Sequence, residues 1–291
     1  MEQSAPASNA IVLRPSVEQS NIAALRDAYA KMQALKAADN RSWIYWAEYH
    51  GFDRYDCWHH AGTGPPPGRD YPYDLFLPWH RAYLQYFEHV VRDQNAEAIP
   101  PWWDWTSAAS HAEGIPKAYE ESEVDGAPNP LAGGPMPKIP KEDVERTTRS
   151  HGAPAELPKL SSPTPESEGE PLPSVESLLA LTSYVDFSRQ LQNIHDAVHG
   201  WVGGQMGVIA TAAFDPIFWA HHTMIDRLWY QWQLLHGVNN IPPNYSEKVL
   251  APFGLTVEQV LDVRALGYDY ASSSASATPV PAVAAQAASA S

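Results

Sequence analysis

The sequence predicts a mainly α fold, with an antiparallel four-helix bundle at its core and long irregular loops between the helices. Three observations predict it. Apolar residues recur at helical spacing in successive stretches of the chain. Histidines fall inside those stretches, on otherwise apolar faces. Segments rich in Pro, Gly and Ser separate them. The bundle is organised around residues 215–237, DPIFWAHHTMIDRLWYQWQLLHG. Asp215 can accept from the free amides of a first helical turn, Pro216 suits the first helical position, and Gly237 suits the stop. Phe218, His222, Ile225, Trp229 and Trp232 recur at steps of four, three, four and three, so they share one face.

Taken from the start, residues 1–12 look loose, and 14–37 carries a helical pattern of Ile22, Leu25, Tyr29, Met32 and Leu35. A second helix is expected over 41–50, ending at Gly51. A loop over 52–74 has GTGPPPG at its centre. A third helix opens at Pro78 and runs to about Gln94. PPWWDWT at 100–106 closes that block with three tryptophans. Residues 107–174, rich in Pro, Glu, Ser and Gly, are expected as a surface excursion that buries little. The helical pattern resumes at Val175 and continues through Leu191 to His199, and GWVGGQMG at 200–207 is expected as a turn-rich link. The expected organisation is one domain over 1–270, followed by an uncharged low-complexity tail, 271–291, expected to be disordered. There is no internal sequence repeat.

Composition narrows the function classes. Of 291 residues 44% are hydrophobic and 11% aromatic, enough for a sizeable core. The net charge of −15, from 19 basic against 34 acidic residues, argues against nucleic acid or an anionic membrane as partner. A single cysteine excludes an internal disulfide framework. No run of about 18 apolar residues exists to cross a membrane. The N-terminus lacks a basic region followed by an apolar one, so no signal peptide is expected, which implies a cytoplasmic protein or one secreted by another route.

Six of the twelve histidines form two groups of three. Downstream, His195 and His199 are four apart, so on a helix both imidazoles project from one face; His222 joins them from the organising helix. Upstream, the candidates are His50, His59 or His60, and His80. Any one of these could be a hydrogen-bonded core histidine. Burying six on apolar faces is harder, because each unpaired ring costs about 1–3 kcal/mol. Metal ligation satisfies one nitrogen and a carbonyl or carboxylate the other. All-imidazole ligation suits copper, zinc, iron or nickel.

FLPWHRAYLQYFE (76–88), PPWWDWT (100–106), HDAVHGWVGGQM (195–206) and DPIFWAHHTMIDRLW (215–229) together resemble the type 3 copper proteins, which include tyrosinases, catechol oxidases and molluscan haemocyanins. The resemblance covers roughly residues 14–106 and 175–270. It implies a dinuclear site of two copper ions within the bundle, with O2 as co-substrate. Copper B would take His195, His199 and His222; the second histidine of the pair agrees with the Phe218/Ile225/Trp229 face, and His221 is then a supporting or structural residue. Copper A would take His50, His80 and a third. Many members carry a histidine nine positions before the one in FLPWH, where this chain has Tyr71. Cys57-Trp58-His59 matches instead the family's Cys-x-His, in which a thioether joins the two, so His59 is chosen with His60 as runner-up. Cys57 could equally be a buried small hydrophobe.

The resemblance implies oxidation of o-diphenols to o-quinones and ortho-hydroxylation of monophenols, on small phenolic substrates. Asp196 stands where many tyrosinases have Asn; it could act as a base or orient a histidine ring. Asp186 or Gln192 could orient a water. Gly200 leaves the entrance open, and Met206 or Ile209 could line it. Phe218 could stack near copper B, or serve as plain core. A copper-delivery protein is a possible partner, and no oligomeric state is specified. Rival readings are an o-aminophenol oxidase, a haemocyanin-like oxygen carrier, and a dinuclear zinc hydrolase. The motifs disfavour the last, because they lack bridging carboxylates.

Overall fold

The structure, a computed structural model, describes residues 11–52, 73–138, 143–160 and 172–272. Its helices are α1 (Ile22–Ala34), α2 (Trp43–Ala47), α3 (Tyr73–Gln94), α4 (Ala108–Glu113), α5 (Lys117–Glu120), α6 (Val175–Leu179), α7 (Tyr184–Val202), α8 (Ile209–Ala212) and α9 (Ile217–His236). Its strands are short: β1 (Val12–Arg14), β2 (Glu123–Val124), β3 (Ala127–Pro128), β4 (Pro135–Pro137), β5 (Val144–Arg146), β6 (Val249–Leu250), β7 (Leu255–Thr256) and β8 (Tyr268–Tyr270). They pair only two by two among the described residues: β1 with β8 in parallel, and β2–β3, β4–β5 and β6–β7 antiparallel. No helix among the described residues is long and apolar enough to cross a membrane. The fold is mainly helical, as the periodicity predicts, with α3 packed against α1, α7 and α9.

The central helices run antiparallel where side chains register them. Phe187 near the start of α7 stacks on Trp232 near the end of α9, while His195 further along α7 meets His222 near the start of α9. On α3, His80 meets His222, and Phe87 one to two turns later stacks on Trp219, one turn earlier in α9. Local chemistry places these helices. Asp215 Oδ1 accepts from the Ile217 amide at 3.0 Å, and Gly237 ends α9 at φ 96°. Ser183 caps α7 by accepting from the Asp186 amide, and Gly203 ends it at φ 63°. Asn21 caps α1.

Several expectations are corrected. Helix α1 starts at Ile22, not near Arg14, because residues 12–14 are drawn into the ladder with β8 and Asn21 supplies the cap. Helix α3 starts at Tyr73 and contains Pro78. Proline removes one amide, but Phe76 and Leu77 before it are buried, and that burial outweighs one lost hydrogen bond. The pattern from Val175 to His199 is two helices, broken where Ser183 caps the second. Helix α7 continues through Gly200 to Val202, so the expected link begins later. The segment 107–174 buries more than its composition predicts: Ile115, Tyr119, Leu131 and Leu157 are at most 2% exposed. Its Arg149 closes on the buried Asp215 at 2.6 Å, clamping the segment to the start of α9. Residues 273–291, most of the predicted tail, lie outside the described residues.

Behind the histidines lies a buried charge network with no local sequence signal. Asp226 on α9 accepts from Arg81 Nε at 2.6 Å, from Arg14 at 3.2 Å, and from the hydroxyls of Tyr268 and Tyr270. Arg14 also pairs with Glu88 at 2.7 Å. The guanidinium of Arg14 lies 3.5 Å over the Tyr268 ring, and that of Arg81 lies 3.6 Å over Trp229. The network fastens β1, α3, α9 and β8 together, and so fixes how α3 and α9 present His80 and His222.

Candidate metal centre

Three helices and one turn deliver the histidines. On α7, His195 and His199 are one turn apart with ring centroids 4.3 Å apart. Helix α9 adds His222, 4.8 Å from His195 and 5.3 Å from His199. Helix α3 adds His80, stacked on His222 at 4.4 Å. His50, in the turn after α2, lies 5.6 Å from His80. All five are buried. Their nitrogens form two groups, each with ligand atoms within 4.8 Å of one another: His195, His199, His221 and His222, and His50, His80 and His222.

Every one of the five rings is anchored through Nδ1. His50 bonds the Ile209 carbonyl at 2.8 Å, His80 that of Phe76 at 2.9 Å, His199 that of Met206 at 2.7 Å, and His222 that of Phe218 at 2.9 Å. His195 bonds the Asp196 carboxylate at 2.9 Å. Carbonyls and carboxylates only accept, so each Nδ1 carries the hydrogen and each Nε2 is left as a lone pair. The Nε2 atoms of His195 and His222 lie 3.0 Å apart, and those of His50 and His80 3.4 Å. Facing lone pairs at these distances repel unless a cation lies between them. Two nitrogens at roughly 2 Å from one metal stand about 3–3.4 Å apart, so the spacing fits a metal-bound set. Burial, reinforced by His80 and His195, holds His222 well below the usual histidine pKa, in the neutral form that ligates. No carboxylate belongs to either group among the described residues, which favours copper, zinc, iron or nickel.

His221 is brought in more closely than its place on the helix suggests. It is fully buried, stacks on His195 at 5.1 Å, and neither ring nitrogen has a hydrogen-bond partner among the described residues. Burial, then His199 and His195, lowers its pKa well below the usual value. His59, its runner-up His60, and Cys57 lie outside the described residues.

A cavity of about 220 Å³ opens onto the nitrogens from one side. Asp196, Gly200, Met206, Gly207 and Ile209 line it with His50, His195 and His199. The predicted lining residues Gly200, Met206 and Ile209 are therefore in place, and the last two also hold His199 and His50 through their carbonyls. Three other predicted residues do not reach the cavity. Asp186 lies nine residues before His195, about 13 Å along the helix, and pairs with Arg189. Gln192 is buried one turn below His195. Phe218 is fully buried; its ring sits 3.8 Å from His222 and 4.7 Å edge-on to His50, so it walls the metal site rather than meeting substrate.

The sequence reading missed Phe76. Its ring packs edge-on against His80 and His195 at 5.0 and 4.9 Å, and its carbonyl holds His80. The signal was present: Phe-x-x-x-His occurs at 76–80 and again at 218–222. In both, helical spacing gives the histidine Nδ1 the carbonyl of the phenylalanine four residues back.

The family model for the common central domain of tyrosinase matches residues 28–235. The chain is 30% identical over 210 residues to a hemocyanin A-type protein, units Ode to Odg, of Enteroctopus dofleini, covering 66% of this chain and 16% of that protein. It is 31% identical over 185 residues to a tyrosinase of Streptomyces glaucescens, covering 55% of this chain and 63% of that one. The chain thus spans less than two thirds of the length of these relatives. Among solved structures, a tyrosinase from Burkholderia thailandensis superposes with TM-score 0.71 at 23% identity, over 91% of this chain and 74% of that one. A functional unit from octopus hemocyanin superposes with TM-score 0.65 at 25% identity, over 89% and 68%.

Proposed function

This chain belongs to the tyrosinase family of type 3 copper proteins, and from that premise we propose that it is a copper-dependent phenol oxidase, oxidising o-diphenols to o-quinones and ortho-hydroxylating monophenols. The family binds two copper ions, and the two histidine groups fit them. In this reading His195, His199 and His222 hold one copper, and His50 and His80 hold the other with a third ligand from His59 or His60. Bound copper supplies the activation of O2 and the path for two electrons from each catechol.

The observation that carries the reading is the cavity. An oxygen carrier needs access for O2 alone. This cavity is below the roughly 300–1,000 Å³ of drug-sized sites but suits one small ring, and it reaches His195 and His199 between apolar walls from Met206 and Ile209. Asp196 Oδ1 accepts from His195 Nδ1 and orients that ring, and in this reading the carboxylate, which lines the cavity, takes the proton a phenol must lose. Two catechols and one O2 give two quinones and two waters; one monophenol and one O2 give one quinone and one water. An o-aminophenol oxidase would use the same cavity. A haemocyanin-like carrier is the second reading, favoured by hemocyanin relatives as similar as the tyrosinases.

The test is copper-loaded protein given a monophenol and the matching catechol, with O2 uptake recorded and a His222→Ala control. Turnover of both, lost in the control, supports a tyrosinase, and turnover of catechol alone a catechol oxidase. Reversible O2 binding without turnover of phenol, catechol or aminophenol overturns the oxidase reading.

A further inference from the structure

We infer that Thr148, Arg149 and Ser150, within the Pro-rich excursion, are positioning residues for the downstream metal: they hold in register the two elements whose carbonyls orient His199 and His222. The inference rests on the two histidine groups and not on the phenol-oxidase reading. His199 Nδ1 bonds the Met206 carbonyl at 2.7 Å, and Met206 belongs to the short turn Gly204–Gly207 that follows α7. His222 Nδ1 bonds the Phe218 carbonyl at 2.9 Å, in the first turn of α9. Each ring is therefore placed only as well as the backbone that presents its carbonyl.

Residues 148–150 grip both stretches of backbone. The Thr148 amide donates to Gln205 Oε1 at 2.7 Å, and the Gln205 amide donates back to the Thr148 carbonyl at 3.3 Å. Ser150 Oγ accepts from the Gly204 amide at 2.9 Å, and the Ser150 amide donates to the Val202 carbonyl at 3.2 Å. The approach leaves no room for a side chain. A Cβ at Gly204 would lie 2.0 Å from the Thr148 carbonyl oxygen, and one at Gly203 would lie 2.5 Å from Ser150 Oγ. Both glycines also take a positive φ, 63° at Gly203 and 55° at Gly204. Between these contacts Arg149 reaches the start of α9. Its Nη2 donates to Asp215 Oδ1 at 2.6 Å and its Nε to the same carboxylate at 3.0 Å, with both side chains buried. Asp215 Oδ1 accepts in turn from the Ile217 amide at 3.0 Å. Three consecutive residues thus bridge the turn that holds His199 and the helix start that holds His222, whose rings lie 5.3 Å apart.

Groups that orient a metal-binding ring are worth about 10–100-fold in metal affinity, and contacts one step further out should reach the low end, about ten-fold. Copper-loaded protein is equilibrated in chelator-buffered copper of falling free concentration, and copper per chain is measured by elemental analysis. Gln205→Ala takes the acceptor from the Thr148 amide. It should release one copper at a free concentration about ten-fold higher than wild type does, and the other where wild type does. In a His80→Ala background the same shift should appear in the copper that remains, which identifies it as the downstream ion. Gln205→Glu, which keeps an oxygen acceptor, should restore the wild-type curve. Ser150→Ala, which cuts the contact from the other side, should shift the same copper in the same direction. Gln33→Ala is the control for mere loosening of the excursion. It removes the bond from Gln33 to the Pro130 carbonyl at 2.7 Å, which ties α1 to the same segment, and should shift neither copper. The inference is overturned if Gln205→Ala shifts both coppers alike or neither, if Gln205→Glu behaves as Gln205→Ala, or if Gln33→Ala reproduces the shift. None of these curves reads turnover, so copper-loaded protein that oxidises no phenol, catechol or aminophenol ends the oxidase reading while the release curves still decide this one.

Discussion

Replacing Asp226 by Asn should destabilise the protein by about 3–4 kcal/mol, because it removes the one anion shared by two buried guanidiniums. The side chains of Asp226, Arg14 and Arg81 are 1%, 1% and 0% exposed. Removing one partner of a buried pair costs roughly 3–5 kcal/mol, since the remaining charge has neither water nor counter-ion. The lower part of that range applies here. Arg14 keeps Glu88, and Arg81 keeps neutral acceptors in Gln233 and the carbonyls of Val260 and Leu261. Against a total stability of about 5–15 kcal/mol, the midpoint of thermal unfolding should fall by roughly 6–16 °C. The assay is thermal unfolding of copper-free protein by tryptophan fluorescence, so that metal binding does not mask the change. The pH dependence gives a second handle. Burial alone would raise the Asp226 pKa, but Arg81, Arg14 and the two tyrosine hydroxyls outweigh it and hold it below its ordinary value. Its contribution is therefore complete above the unfolded value of about 3.9 and is lost as pH falls through the lower folded value. The gap between wild type and variant should narrow in that acid range. A loss under about 1 kcal/mol near neutral pH, or a gap that widens in acid, would refute the account of the network.

Further outcomes follow from the site. His222→Ala should lose the copper of the downstream group and His80→Ala that of the upstream one, each leaving about one copper per chain by elemental analysis after dialysis. Arg149→Met strands the carboxylate of Asp215, which is fully buried, and should lower stability in urea by about 3–5 kcal/mol. Gly200→Ala should raise stability by roughly 0.5–1 kcal/mol, because alanine suits a helix better and its Cβ meets nothing. Gly200→Phe should leave the copper content unchanged but raise KM for a para-substituted catechol at least ten-fold, read against unsubstituted catechol as the control.

The parts of the site written in local spacing are the parts the sequence discloses. His195 and His199 are one turn apart, and the face shared by Phe218 and His222 is plain from the steps of three and four. Asp215 and Gly237 bracket α9 with residues whose capping chemistry is local. What was not legible depends on partners far apart in the chain. The strands β1 and β8 are three residues each, too short for a periodic signal, and they pair across most of the sequence. The Arg14–Asp226 contact joins residues 212 positions apart, and no property of either stretch announces it. The segment 107–174 misleads for a different reason. Its apolar residues are few and widely spaced, so composition hides that Tyr119, Leu131 and Leu157 are each buried against the rest of the fold. Phe218 stacks beside His222, as its place on the shared helical face predicts, while Asp186 lies away from the cavity. On a helix, nine residues carry Asp186 about 13 Å away, and the inward face that suits Phe218 to wall the metal site keeps it from substrate.

Carrier and oxidase can share the same inward-facing nitrogens, so the metal centre itself cannot decide between them. The deciding chemistry must lie in what else can approach those nitrogens. In this chain one stretch of α7 bears on both. His195 and His199 form one i, i+4 pair, turned inward and buried. Asp196 and Gly200 form the next i, i+4 pair, rotated about 100° and exposed. The first pair sets the metal, and the second sets the doorway with a fixed carboxylate and a gap. The two are coupled through the hydrogen bond from His195 to Asp196, so a change at the doorway residue also reaches the ring that faces the metal. For that reason Gly200 and Ile209, which border the cavity without bonding any ring through their side chains, are the positions at which access can be varied while the metal centre stays as it is.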